Sequence, residues 1–462
     1  MTQPQELVEQ ALAESGADGC VTIVSEHSET NLRWAGNSLT TNGQMRSRSV
    51  TVISTFDGAE GTSAGVVTRS VTNGEELSAL VRASERAGRD AGPADDAAPL
   101  VENYAHDDDW SADPAETSVE VFEHFAPALG AAFDRWKKAD RLLYGFAEHQ
   151  LTSSFLGSST GLRRRFDQPD GRIELNGKSG DLSRSAWSGA HSRDYTDVDI
   201  AALADALDAR LDWAAKRIEL PAGRYETILP PSAMADLMIY SYWTGSARDA
   251  EEGRNVYSRP DGATSIGEQL SELPLTLRSD PAEPGLQCAP FEVVTESEGG
   301  LQSVFDNGGA VGATDWIDGG RLANLVRTRA WASKTDSQPR PFVGNLILQS
   351  AAGTKSIEQM VADTERGLLL TCMWYIREVD PQTLLLTGLT RDGVYLIENG
   401  AVTGAVNNFR YNESPIDLLG RISEVGATVP TMSREWSDYF RRTAMPAVRV
   451  PDFNMSTVSQ AS

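Results

Sequence analysis

Catalysis needs imidazoles, activated nucleophiles or clustered carboxylates, and this chain is sparing with the first two. Its five histidines, His27, His106, His124, His149 and His191, all precede residue 192, and no two are spaced i, i+4. Zinc hydrolysis takes imidazole or thiolate ligands with a carboxylate base. Beyond His191 only Cys288 and Cys372 remain as candidate soft ligands, too few for such a site. His106 opens the run His-Asp-Asp-Asp-Trp, whose oxygens suit a hard cation; in a Pro- and Asp-rich segment the run reads as solvated charge. Gly-Ser-Ser-Thr-Gly at 157–161 matches a nucleophile elbow centred on Ser159, a motif that needs a strand, a sharp turn and then a helix. Strand and turn follow instead, in LRRRFDQPDG, so a serine hydrolase is rejected. GRIELNGKS at 171–179 is one residue too long for a phosphate loop and reads as a hairpin. Cys372 lies in LLLTCMWYIRE, a buried-strand pattern, whereas a reactive thiol wants an electropositive, partly exposed setting.

The elements that must position any site alternate helix and strand in the first half. QELVEQALAESG, GEELSALVRASERAGRDAG, the stretch 117–140 and VDIAALADALDARLDWAAKRIEL read as helices, with β-patterned runs between them. Asn42-Gly43, Asp392-Gly393 and Asn399-Gly400 are hairpin signals. Pro221-Ala222-Gly223 opens a second half that is mostly strand, which places a boundary near 218: an N-terminal α+β domain over 1–217 and a β-rich domain over 218–462. The expected class is α+β, with helices on a mixed or antiparallel sheet and then a largely antiparallel β domain with few helices.

One helix stands apart. SAMADLMIYSYWTGSARDA, 232–250, is apolar nearly all round and so reads as buried. Ser232 after Pro230-Pro231 is its expected N-cap, Asp236 sits early enough to favour the helix dipole, and Gly245 can end its apolar part.

The chain has 462 residues and a formal net charge of −25, which repels nucleic acid and anionic membrane. Its N-terminus lacks a basic and apolar leader, and the longest apolar run, near 367–376, is far below the roughly 20 residues of a membrane span. Three scattered cysteines make a disulfide framework improbable. A cytoplasmic protein is expected.

GNLILQSAAGTKSIEQMVADTERGLLLT, TLLLTGLTRDGVYLIENGAVTGAVNN and MPAVRVPDFNMS resemble stretches of the TldD/PmbA family, and LGSSTGLRRRFDQPDG is similar to that family's Ser-x-Gly strand. The resemblance covers about 20–50 and 140–458. It implies paired proteins: a TldD-type subunit holds a catalytic metal on a His-Glu-x-x-x-His helix with a C-terminal cysteine, and a PmbA (TldE)-type subunit lacks these ligands. The matching helix here is 232–250, with the metal-bearing positions around Tyr240, Ser241 and Gly245, and MSREWSDYFRRTAMPAV has no cysteine. The chain is thus similar to the non-metallated subunit, with zinc expected on the partner, none on this chain, and unfolded peptide as substrate. No catalytic residue carries over. Candidate cavity or partner contacts are Tyr240, Trp243, Arg248, Arg254 and Asn255. The alternatives are a scaffolding homodimer and a metal-independent hydrolase using Cys372.

Overall fold

A computed structural model describes residues 2–71, 73–102 and 106–459. The architecture is α+β, built on two sheets. Strands β1 (Gly19–Trp34), β2 (Leu39–Gly58), β3 (Gly61–Arg69), β4 (Arg141–Ser158), β5 (Arg163–Ser179) and β6 (Ser185–Ser192) form an antiparallel sheet in the order β3-β2-β1-β4-β5-β6. Helices α1 (Pro4–Glu14) and α2 (Gly74–Asp90) cover one end of it, placing Leu7, Val8, Leu77, Leu80 and Val81 on Val24, Val50 and Val52. Helices α3 (Ala126–Lys138) and α4 (Ile200–Trp213) cover the other, with Leu129, Trp136 and Leu207 against Leu143, Ile173 and Leu175. The apolar residues of α2 recur at helical spacing, and Asn73 caps it by accepting from the Glu76 amide at 3.0 Å. Helix α2 lies so close to β3 that a Cβ on Gly65 would stand 2.1 Å from the Ser84 carbonyl.

The second sheet holds β7 (Arg217–Ile218), β8 (Gly223–Leu229), β9 (Thr276–Ser279), β10 (Thr314–Asp318), β11 (Arg321–Leu322), β12 (Leu346–Gln349) and β13 (Arg366–Leu370). It continues through β14 (Met373–Asp380), β15 (Leu385–Thr390), β16 (Val394–Glu398), β17 (Ala401–Val406), β18 (Phe409–Glu413), β19 (Glu424–Thr431) and β20 (Thr443–Val458). Strand β20 is its spine, paired with β8, β12, β18 and β19. Most pairings are antiparallel, but β8–β13, β12–β20 and β7–β17 are parallel, so the sheet is mixed. Among the described residues no helix is long and apolar enough to cross a membrane.

Local turn chemistry predicted one hairpin well and missed two. Asn399 and Gly400 take left-handed φ of 51° and 78° and join the paired strands β16 and β17, as Asn-Gly prefers. Asp392-Gly393 joins no hairpin, because β15 pairs with β14 and β18 while β16 pairs with β13 and β17. Asn42-Gly43 lies inside β2 opposite Asn31 and Leu32; the turn sits at Gly36-Asn37, with φ of 58° and 64°. Pro169-Asp170-Gly171 is no turn either, since β5 runs straight through it in register with β4, and the reversal comes only after Ser179.

The halves are joined by charge. Asp170 on β5 accepts two bonds from Arg442 Nη1, at 2.7 and 2.6 Å, and stands 3.2 Å from His191 Nε2. Arg442 Nε donates to the Gly344 carbonyl at 2.9 Å. Burial works to raise the Asp170 carboxyl, but the Arg442 charge and the His191 bond outweigh it and hold the group at about 2. Its folded value thus lies below its ordinary 3.8, so this pair adds stability above about pH 4 that is lost as the pH falls toward 2. Arg442→Ala should cost about 3 kcal/mol in urea unfolding at pH 7, the lower end for leaving one member of a largely buried pair alone.

Candidate functional site

The apolar helix is α5 (Pro231–Trp243), shorter than the 232–250 expected. Thr244 ends it, and a separate helix α6 (Ala247–Glu251) starts after the Ser246 cap. Pro230 is the N-cap and Ser232 lies inside the first turn, because Pro231 already has the backbone angle of a first helical residue. Ala233, Met234, Leu237, Met238 and Ile239 are buried in the core of the second half, as all-round apolarity predicted. Asp236 does not serve the dipole. It is wholly buried, and its Oδ1 accepts from Ser433 Oγ at 2.5 Å and from the Glu435 amide at 2.8 Å, while Oδ2 has no partner. Burial pushes its carboxyl up to about 7, against the pull of those hydrogen bonds.

Those bonds fix the 433–436 turn, which lies in the stretch that has no cysteine. Trp436 Nε1 donates to the Asp236 carbonyl at 2.9 Å, and the Trp436 ring packs on Tyr240 and Trp243, with centroids 5.6 and 5.3 Å away. Trp243, Phe342, Trp436, Tyr439 and Phe440 then line a cleft of about 510 Å³, with Glu298 and Gln302 among its polar members. Tyr439 is 77% exposed, an unusual state for an aromatic ring. The signal available in the sequence was the aromatic spacing of REWSDYF, which has no helical or strand period to assign it a role.

The residues singled out from sequence are only partly brought together. Tyr240 and Trp243 are half-buried beside the cleft. Ser241 is buried, in a hydroxyl contact with Tyr257 at 2.9 Å, and Gly245 donates its amide to the Tyr242 carbonyl. Arg248 stands over the Trp331 ring at 5.5 Å, in a neighbouring cavity of about 190 Å³, and pairs with Glu252 and Asp95. Arg254 is exposed and pairs with Asp249 and Glu252. Asn255 is withdrawn from solvent: its amide donates to the Thr244 and Ser246 carbonyls, clamping the α5–α6 link.

Other candidate chemistry resolves into structure. Asp107 accepts from Arg164 Nε and the Arg165 amide, and Asp109 from Arg165 Nη1, so these acids of the His-Asp-Asp-Asp run face arginines. Ser159 sits in the turn between β4 and β5, its hydroxyl accepting from the Cys20 amide at 3.0 Å. Cys372 is buried, and burial pushes its thiol up to about 12, which keeps it protonated and poorly nucleophilic at neutral pH. His149 is buried between Thr117 and the Arg193 carbonyl, its pKa lowered chiefly by burial.

The fold resembles that of TldE from Thermococcus kodakarensis, with a TM-score of 0.77 at 15% identity over 97% of this chain and 99% of that one. A candidate modulator of a DNA gyrase from Thermotoga maritima matches with a TM-score of 0.75 at 18% identity, over 97% of this chain and 99% of that one. Another from Bacteroides thetaiotaomicron matches with a TM-score of 0.75 at 14% identity, over 98% of each chain. At these identities the likeness is one of fold. No curated protein matches the chain. The family described as PmbA/TldA metallopeptidase C-terminal domain matches residues 222–457. A metallopeptidase implies a metal, and the end of α5 does not fit one: Tyr240 to Gly245 offer hydroxyls and rings where zinc takes imidazole, thiolate or carboxylate. Among the described residues no three His, Cys, Asp or Glu side chains group as ligands. With just over half of its residues matched by that family, the chain belongs to the PmbA/TldD family.

Proposed function

We propose that this chain is the non-metallated, TldE-like subunit of a heteromeric cytoplasmic metallopeptidase, and that zinc sits on a TldD-type partner. The observation that carries this reading is the donor chemistry of Tyr240 to Gly245. The family resemblance matches this helix end to the one that holds the metal in the catalytic type, and here it offers a buried hydroxyl, two half-buried rings and a glycine. In this reading the chain contributes a wall of the chamber in which unfolded peptides are cut. The aromatic cleft is the part of that wall suited to apolar side chains of an extended substrate, because its rings offer large apolar area at low entropic cost. Full-length likeness to a TldE fold supports the assignment.

Affinity capture of the tagged, full-length chain from its native host tests the pairing. A TldD-type protein carrying His-Glu-x-x-x-His should be recovered in about equal amount. Recovery of the chain alone as a homodimer would instead favour a scaffold.

A further inference from the structure

The chain carries a net charge of −25, yet one of its cavities is walled by cations. This cavity, about 490 Å³, lies where the first sheet, the α4–β8 link and the second sheet meet. Lys178 and Arg184 reach it from the end of β5 and the following turn, Arg217 from β7, and Arg391 from the β15–β16 link. Glu219 and Asp392 are the acids in the same wall.

Many of the protein's other arginines meet carboxylates: Arg421 pairs with Glu413, Asp417 and Asp452, and Arg449 with Glu226 and Glu424. Here, among the described residues, Lys178, Arg184 and Arg217 form no ion pair within 4.0 Å. Arg391 reaches Asp392 only at 3.9 Å, and that carboxylate already accepts from Ser185 Oγ at 2.5 Å. The cations are nonetheless held in place. Arg184 Nη1 donates to the Leu211 carbonyl at 2.8 Å, Arg217 Nη2 donates to the Ser183 carbonyl at 2.9 Å, and the Lys178 ammonium sits 5.6 Å from the centre of the Tyr144 ring. Carbonyls and a ring face position these cations, the Asp181 carboxylate feels the Arg184 charge from outside the cavity wall, and each guanidinium keeps most of its five donors free.

Like charges gathered around one cavity repel, and an oxyanion entering it would relieve that repulsion. Arginine forks match phosphate and carboxylate geometry, and the volume falls in the range of small-molecule sites, roughly 300–1,000 Å³. We propose that this cavity binds a small anionic molecule bearing a phosphate or paired carboxylates, held by Lys178, Arg184, Arg217 and Arg391. Because its walls come from both sheets, the bound anion ties them together and stabilises the folded chain. The site is separate from the aromatic cleft and does not depend on the peptidase reading.

Calorimetric titration of the full-length chain with pyrophosphate, and separately with citrate, tests this. At least one should bind with a Kd below about 1 mM at low salt and more weakly as salt rises. Arg217→Gln/Arg391→Gln, at two exposed positions, should weaken that binding roughly tenfold while the melting temperature without ligand holds. Arg391→Gln alone provides a milder variant with the same direction of effect. Preference for pyrophosphate assigns a phosphate ligand, and preference for citrate a polycarboxylate. No binding by either up to about 10 mM, or binding that both variants leave unchanged, overturns the site.

Discussion

The isolated chain should hold no stoichiometric zinc and cleave no peptide, and both should appear together once a TldD-type subunit from the same host is added. A zinc peptidase needs nitrogen or sulfur ligands, a carboxylate base and an open coordination position. The end of α5 presents Tyr240, Ser241, Tyr242, Trp243, Thr244 and Gly245 instead, and the Ser241 hydroxyl is already engaged with Tyr257. Elemental analysis of the purified chain should therefore find below about 0.1 zinc per molecule, against about one for the mixed complex. Hydrolysis of an unfolded protein substrate should rise from background by at least about a hundredfold on mixing and vanish with a chelator, since metal activation of water accounts for several kcal/mol of barrier. One tightly held zinc on the isolated chain would sink the reading. Chelator-insensitive cleavage by the chain alone would instead bring back a thiol mechanism, which the buried, protonated Cys372 argues against.

The second large effect is a pH dependence carried by Asp236. Its folded value, about 7, lies above its ordinary 3.8, so the folded chain binds the proton more tightly than the unfolded one. The sign follows: the folded state is favoured by this group at low pH, and stability falls as the pH rises from about 4 to about 7. The full span is worth on the order of 4 kcal/mol for a shift of this size. Asp236→Asn keeps an oxygen to accept from Ser433 and the Glu435 amide and cannot ionise. Urea unfolding at pH 5 and pH 8 should therefore show a smaller loss of stability in the variant than in the native chain. His149, whose pKa is lowered mainly by burial, acts in the opposite direction below its ordinary 6.5 and is common to both proteins, so it cancels in the comparison. Equal pH dependence in the two chains would refute the assignment. Since the same residue holds Trp436 against α5, the variant also reports whether the cleft survives a neutral amide there.

What the linear chain revealed was whatever a few neighbouring residues can settle among themselves. The spacing of Leu77, Leu80, Val81 and Ser84 makes α2 amphipathic wherever it lies, and the Asn399-Gly400 pair accepts left-handed backbone at no great cost. The all-round apolarity of α5 sufficed to bury it, and the lack of any histidine beyond His191 removed the usual metal ligands from the second half. Those two local facts, joined to the family resemblance, are the sequence's share of the proposal that zinc sits on a partner.

The tertiary structure decided which strands pair and which side chains meet, because those choices weigh contacts between residues far apart in the chain. Asp392-Gly393 has the composition of a hairpin, yet β15 and β16 find better partners elsewhere in the sheet. Pro169-Asp170-Gly171 stays extended because the long β4–β5 ladder and the Asp170–Arg442 pair outweigh its turn preference. Trp243 meets Trp436 and Phe440 and shares a cleft with Tyr439, where Asp236, buried with one oxygen unpartnered, holds the 433–436 turn on its helix. The four cations of the second cavity come from three separate stretches of sequence, and nothing local to any of them announces the others. Which residue types a stretch contains is a property of composition and can be read directly; a cleft is a property of distances, which exist only once the chain has folded.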